Sequence, residues 1–119
     1  MGHLRVFFFL LSMMSSVPIL SQHSVARQWN EVLLEAIRND YARPTVHARN
    51  LFHISMAMYD IWATYDDYAQ TFFLGKTLGG YQNQFDGISM PTNVEAAREE
   101  AISYACYRLL VSRFQTSPE

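Results

Sequence analysis

Four side chains between His47 and Asp60 are the ones in this 119-residue chain best placed to move a proton or hold an ion. His47 and His53 stand six residues apart, on different sides of a helix. A zinc-binding helix needs its histidines four apart with a glutamate between them, so these two do not make a metal pair. Arg49 and His53 are four apart, and His53 and Asp60 lie two turns apart, so these three can line one strip. A guanidinium, an imidazole and a carboxylate in one strip could handle a proton. They could equally form a satisfied network that fixes helix packing, and that structural reading is the one taken here.

The remaining candidates carry less. Asp60, Asp66 and Asp67 lack the alternating spacing of a calcium loop, and a helix C-terminus disfavours anions, so Asp66 and Asp67 are expected to be solvated charges. Ser55 falls mid-helix with no strand-to-helix elbow, and Cys106 has no activating base near it in sequence. As the single cysteine, Cys106 can form no internal disulfide and no cysteine metal cluster; within a helical apolar pattern it reads as a small buried hydrophobe. Gly79-Gly80 lies in no strand-to-helix phosphate motif. The sequence therefore assigns no catalytic, cofactor-binding or metal-ligating residue.

Three helices must position these groups, giving an all-α fold: a partial helical bundle with a long irregular loop between the second and third helices. The first helix spans about residues 25–39, with Val25, Trp29, Val32, Leu33, Ala36 and Ile37 on one face and Arg27, Glu31, Glu35 and Arg38 on the other. The second opens at Pro44 or Thr45, since proline at the first helical position forfeits no intrahelical bond, and runs to about Tyr65. Leu51, Ile54, Met58, Ile61, Trp62 and Tyr65 form its apolar band, widened by Phe52, Met56, Ala57 and Tyr59. A helix apolar over so much of its circumference is expected to be central and buried on more than one side.

Between Thr71 and Pro91 glycines and polar residues break the pattern, with an extended piece expected at Thr71 to Leu74. The third helix is expected to open on a capping box, Thr92 with Glu95. Val94, Ala97, Ala101, Tyr104, Ala105, Leu109 and Val111 then mark a buried side, with Ile102, Cys106, Leu110 and Phe114 beside it. Arg108 and Arg113 sit near the negative end of its dipole.

Composition bounds the function. Half of the residues are hydrophobic, and the nine basic residues are scattered in a chain of net charge −2, so no basic stripe exists for nucleic acid. Residues 1–21 read as a cleaved export signal: Arg5, an apolar run from Val6 to Met14, then Ser15, Ser16 and Ser21. That run is shorter than the roughly 20 residues needed to cross a bilayer, so no stable transmembrane anchor is expected. The expected location is secreted or periplasmic, with residues 22–119 as the helical domain.

The segment from Trp29 to Ala63 resembles the N-terminal helical region of bacterial vanadium-dependent haloperoxidase-like proteins, within the type 2 phosphatidic acid phosphatase superfamily. Trp29, Asn30, Pro44, Ala48, Arg49, His53, Ala57, Met58, Tyr59 and Asp60 carry the likeness, and Ala101 to Leu110 is similar to the following helix of those proteins. The resemblance implies peroxide-dependent halide oxidation or phosphatase activity, with vanadate or phosphate held in a pocket of preorganised positive charge. The three motifs that build that pocket are a lysine ahead of Arg-Pro, a Pro-Ser-Gly-His segment, and Ser-Arg followed by histidine. None is present: Arg43-Pro44 has Ala36 where the lysine is needed, and Lys76 precedes no Arg-Pro. No cofactor is expected in this chain, with vanadate implied only for a full-length member. The expectation is an exported, truncated scaffold portion, inactive alone, whose partners are the remaining helices of a larger protein. The alternative is a small secreted helical interaction module that packs on a partner chain.

Overall fold

A computed structural model of the chain describes residues 24–118. The order is α1 (Val25–Arg38), α2 (Pro44–Thr64), β1 (Thr77–Leu78), β2 (Tyr81–Gln82) and α3 (Val94–Phe114). The fold is thus mostly helical, as the periodicity predicts, with a two-residue antiparallel hairpin as its only strand pairing among the described residues. The export signal read at residues 1–21 lies outside the described residues.

Local chemistry explains where each helix starts. The Ser24 hydroxyl accepts from the Arg27 amide at 3.3 Å and caps α1. Pro44 occupies the first turn of α2 as expected, and no side chain caps that end. The cap of α3 is Asn93, whose Oδ1 accepts from the Ala96 amide at 3.1 Å. This corrects the expected capping box by one residue: Asn93 stands closer to the first free amides than Thr92, and an asparagine caps at least as well as a threonine.

α3, not α2, is the central helix, because it packs against both others while α1 touches α2 only lightly. Side-chain contacts set the directions. His47 meets Phe114, His53 meets Arg113 and Tyr65 meets Arg98, so α2 runs antiparallel to α3. Trp29 Nε1 donates to Ser103 Oγ at 3.0 Å and Asp40 meets Ser117, so α1 runs in the same sense as α3.

The core is a single seam: Leu33 from α1, Ile54 and Met58 from α2, and Ile102, Cys106 and Leu110 from α3. Each such fully buried aliphatic side chain contributes about 1.5–3 kcal/mol relative to exposure. On α3 the buried stripe is therefore the set four residues apart at 102, 106 and 110, with Leu109 and Phe114 packed against it. Tyr104 and Val111, expected on the buried side, are 64% and 53% exposed. The alanine-rich face looked suited to close packing, but the larger Ile102 and Leu110 remove more apolar area from water and take the core.

A further expectation fails: Val32 is 50% exposed, at the edge of a stripe centred on Leu33. Burial of α2 on more than one side holds in part: His47, Asn50, Ile54 and Met58 are buried on one face and Asp60 and Ala63 on roughly the opposite one, while Leu51, Phe52, Tyr59 and Trp62 stay exposed. With two neighbours, one of them barely touching, a helix this apolar cannot be covered all round.

Candidate functional site

Asp60 sits near the C-terminal end of α2 with 3% of its surface exposed. Its Oδ2 accepts from the amides of Phe73 at 2.8 Å and Leu74 at 2.9 Å, and its Oδ1 accepts from the amide of Phe72. Three consecutive backbone donors wrapped on one carboxylate make Asp60 the anchor of the loop that follows α2. The Thr71 hydroxyl closes the turn by donating to the Leu74 carbonyl at 2.8 Å. Residues 71–74 thus form a turn and not the extended piece expected, because an extended chain cannot aim three successive amides at one point.

The strip Arg49, His53 and Asp60 does not act as a unit. Asp60 is committed to the loop, while His53 is engaged from α3: Arg113 Nη2 lies 2.9 Å from His53 Nδ1. A guanidinium only donates, so Nδ1 must be the acceptor and the ring is neutral with its proton on Nε2. Burial, then the Arg113 and Arg49 charges, hold the His53 pKa below its ordinary value. Arg113 was legible only as a dipole-compensating residue; with residues 65–93 intervening, nothing in the spacing set the register of α3 against α2.

His47 belongs to a separate junction. Its Nε2 lies 2.8 Å from the Tyr41 carbonyl and 3.9 Å from Asp40 Oδ2, and its ring stacks on Phe114 at 6.4 Å. The Asp40 carboxylate, 1% exposed, accepts twice from Arg43 Nη2, at 2.7 and 2.9 Å, and once from Ser117 Oγ at 3.0 Å. Burial pushes the Asp40 pKa up, but the bonds from Arg43, the Tyr41 amide and Ser117 outweigh it and hold the carboxyl below its ordinary value. This network ties the α1–α2 connection to the end of α3. It is structural, and the two histidines do not meet.

Asp66 also departs from expectation. Its Oδ1 accepts from the amides of Ala69 at 2.8 Å and Tyr68 at 3.0 Å, which lowers its pKa and makes it a turn residue in place of a solvated charge. Asp67 is exposed as expected. Gly79 and Gly80, with φ of 57° and 81°, form the tip of the β1–β2 hairpin, where both central residues need positive φ. Cys106 is fully buried, and burial pushes its thiol up to about 11, so it is no nucleophile.

One cleft of about 480 Å³ is lined by residues of all three helices, among them Asn30, Ser55, Met58, Trp62, Arg98 and Ile102. Arg98 stacks over the Trp62 ring at 5.4 Å, pairs with Glu95 at 3.2 Å and donates to the Tyr65 carbonyl at 3.0 Å. It closes the C-terminal end of α2 electrostatically. Among the described residues no base is hydrogen-bonded to Ser55.

Among the described residues no group of three or more histidine, cysteine, aspartate or glutamate side chains could hold a metal ion. Nor do the residues fit the vanadate that the resemblance implies. His47 directs Nε2 to a backbone carbonyl, His53 Nδ1 accepts from Arg113, and Arg49 and Arg113 are exposed where that pocket needs an enclosed cationic cage. No helix among the described residues is long and apolar enough to cross a membrane. No family model, curated protein or solved structure matches this chain.

Proposed function

We propose that this chain supplies scaffold helices of a vanadium-dependent haloperoxidase-like protein, exported and without catalytic capacity of its own. The observation that carries the reading is the uncovered apolar surface of the helices. Phe52 is 55% exposed, and Tyr59, Trp62, Tyr104, Tyr107 and Val111 are also open, on helices whose sequence is apolar on more than one side. Such surface is disfavoured on a monomeric domain and marks contact with further polypeptide. The absence of all three pocket motifs from the sequence supports the lack of activity.

A second reading, an exported helical module that packs on a partner chain, is favoured by the closed seam around Leu33, Ile54 and Cys106 and by the side-chain caps on α1 and α3. The test assays the purified chain for halide oxidation with vanadate and peroxide, and for phosphate-ester hydrolysis. No turnover is expected; turnover tracking the protein through purification would refute the scaffold assignment. Sedimentation and melting then separate the two readings. Self-association through the apolar faces supports the scaffold, whereas a cooperatively melting monomer that binds no apolar dye assigns the chain to the module class.

A further inference from the structure

The outer face of α3 carries a pattern that complements its own reverse. Tyr104 stands at its centre. At about 100° per residue, Ala97, Glu100, Ala101, Tyr107, Arg108 and Val111 all fall within about 60° of it, on the side away from the buried Ile102, Cys106 and Leu110. Each has its complement equally far beyond Tyr104: Glu100 and Arg108 at four residues, Ala101 and Tyr107 at three, Ala97 and Val111 at seven. A charge thus mirrors its opposite, and each alanine mirrors a larger apolar side chain. Tyr104, Tyr107 and Val111 are all more than half exposed. Neither Glu100 nor Arg108 has an ion-pair partner among the described residues, and Arg108 lies over the Tyr104 ring at 6.0 Å. Over the alanines the surface is hollow, with about 350 Å³ between Tyr65, Ala97, Glu100, Ala101 and Tyr104. On a helix, residues at i, i+3, i+4 and i+7 are the four that make a hole for a side chain of a facing helix.

We infer that a second copy of this chain covers this face, the two α3 helices running antiparallel about a two-fold axis at Tyr104. In that register Glu100 of each copy lies opposite Arg108 of the other, and Tyr107 of each enters the hollow over Ala97 and Ala101. A two-fold interface requires a self-complementary patch, and the mirrored pairs supply one. A parallel pairing in register would set Glu100 against Glu100 and Arg108 against Arg108, which like-charge repulsion disfavours. The inference rests on the reading that the open apolar surface is contact surface, and it names the occupant for α3 alone. From Ala97 to Val111 the seam is only about 21 Å long, so it buries less than the roughly 800 Å² per partner of a standard interface. The pairing is accordingly weak, with a dissociation constant on the order of tens of micromolar.

Sedimentation equilibrium of the purified chain, from micromolar to millimolar concentration, tests the pairing. A monomer–dimer equilibrium is expected. Glu100→Arg and Arg108→Glu should each weaken it about tenfold, because two contacts per dimer turn from attractive to repulsive. The double variant Glu100→Arg/Arg108→Glu should return to within about threefold of the parent, since opposite charges meet again. Both side chains are exposed, so the fold is retained in all three, which circular dichroism checks. Orientation is read by crosslinking: a chain with Ala97→Cys should join one with Val111→Cys through a short bis-maleimide, and should not join itself. Cys106 is buried and stays out of reach of the reagent. A double variant no better than the single ones, association that ignores both charge reversals, or self-crosslinking of the Ala97→Cys chain overturns the pairing. So does a monomer throughout: one that binds an apolar dye leaves the contact reading of the open surface in place, and one that binds none removes both.

Discussion

Replacing Asp60 tests the most specific structural claim in this chain. Its carboxylate is 3% exposed and accepts from three consecutive amides, those of Phe72, Phe73 and Leu74. Asp60→Ala leaves three donors unsatisfied. Each orphaned buried donor costs about 1–3 kcal/mol, and bonds to a charged acceptor lie toward the top of that range. Phe72 is half exposed, so water can re-satisfy part of the turn. The expected total is about 2–4 kcal/mol, below the simple sum of three bonds. Asp60→Asn is the sharper variant. It keeps the volume but turns one acceptor into an NH₂ donor facing other donors, so it should cost nearly as much as Asp60→Ala. Urea melts give the free energies, and hydrogen exchange at residues 72–74 gives the location: those amides should lose protection first, ahead of the core around Ile54 and Cys106. If Asp60→Asn melts within about 0.5 kcal/mol of the parent, with residues 72–74 equally protected, the anchor is refuted.

Asn93→Ala should destabilise the chain by about 1 kcal/mol in thermal or urea melts, and Thr92→Ala by less than about half of that; the reverse order would restore the capping box. The His53 pKa is lowered from 6.5 on folding, so the unfolded chain takes up its proton first as pH falls. Stability from this residue is therefore fully present above about 6.5 and declines as pH drops toward the folded value. His53→Gln should flatten that limb of a melting-temperature profile, and an unchanged slope would remove His53 as its source. Asp40 is lowered from 3.8, so its contribution is lost only at more acid pH, as pH falls below that value and through the folded one. The two limbs are thus separable.

How much of this was readable beforehand depends on the range of the interaction. The three helices follow from apolar spacing, and the start of α2 from Pro44, because these are signals within a turn or two of chain; the Ser24 cap of α1 was not read from the sequence. The buried, unreactive character of Cys106 was readable from its place in the periodic pattern. The α3 stripe was misjudged because alanines and tyrosines shared its helix with larger aliphatic residues. Periodicity gives a face but not which of two overlapping faces meets a neighbour.

The candidate site was legible only in part. Arg49 and His53 share a helix face by spacing alone, while the partner that completes the pair comes from Arg113, 60 positions along the chain from His53. Asp60 fell on the same strip by count, yet its carboxylate went to the loop, since three backbone amides with no other partner outbid a side-chain network across two turns. The sequence by itself determined helix content, the opening of α2 at Pro44 and the lack of the three pocket motifs, all of which depend on neighbours within a few residues. Only the tertiary structure decided which arginine meets which histidine, which carboxylate holds the loop, and which apolar faces stay open. Those outcomes depend on helix register across residues 65–93, and no local pattern carries that register.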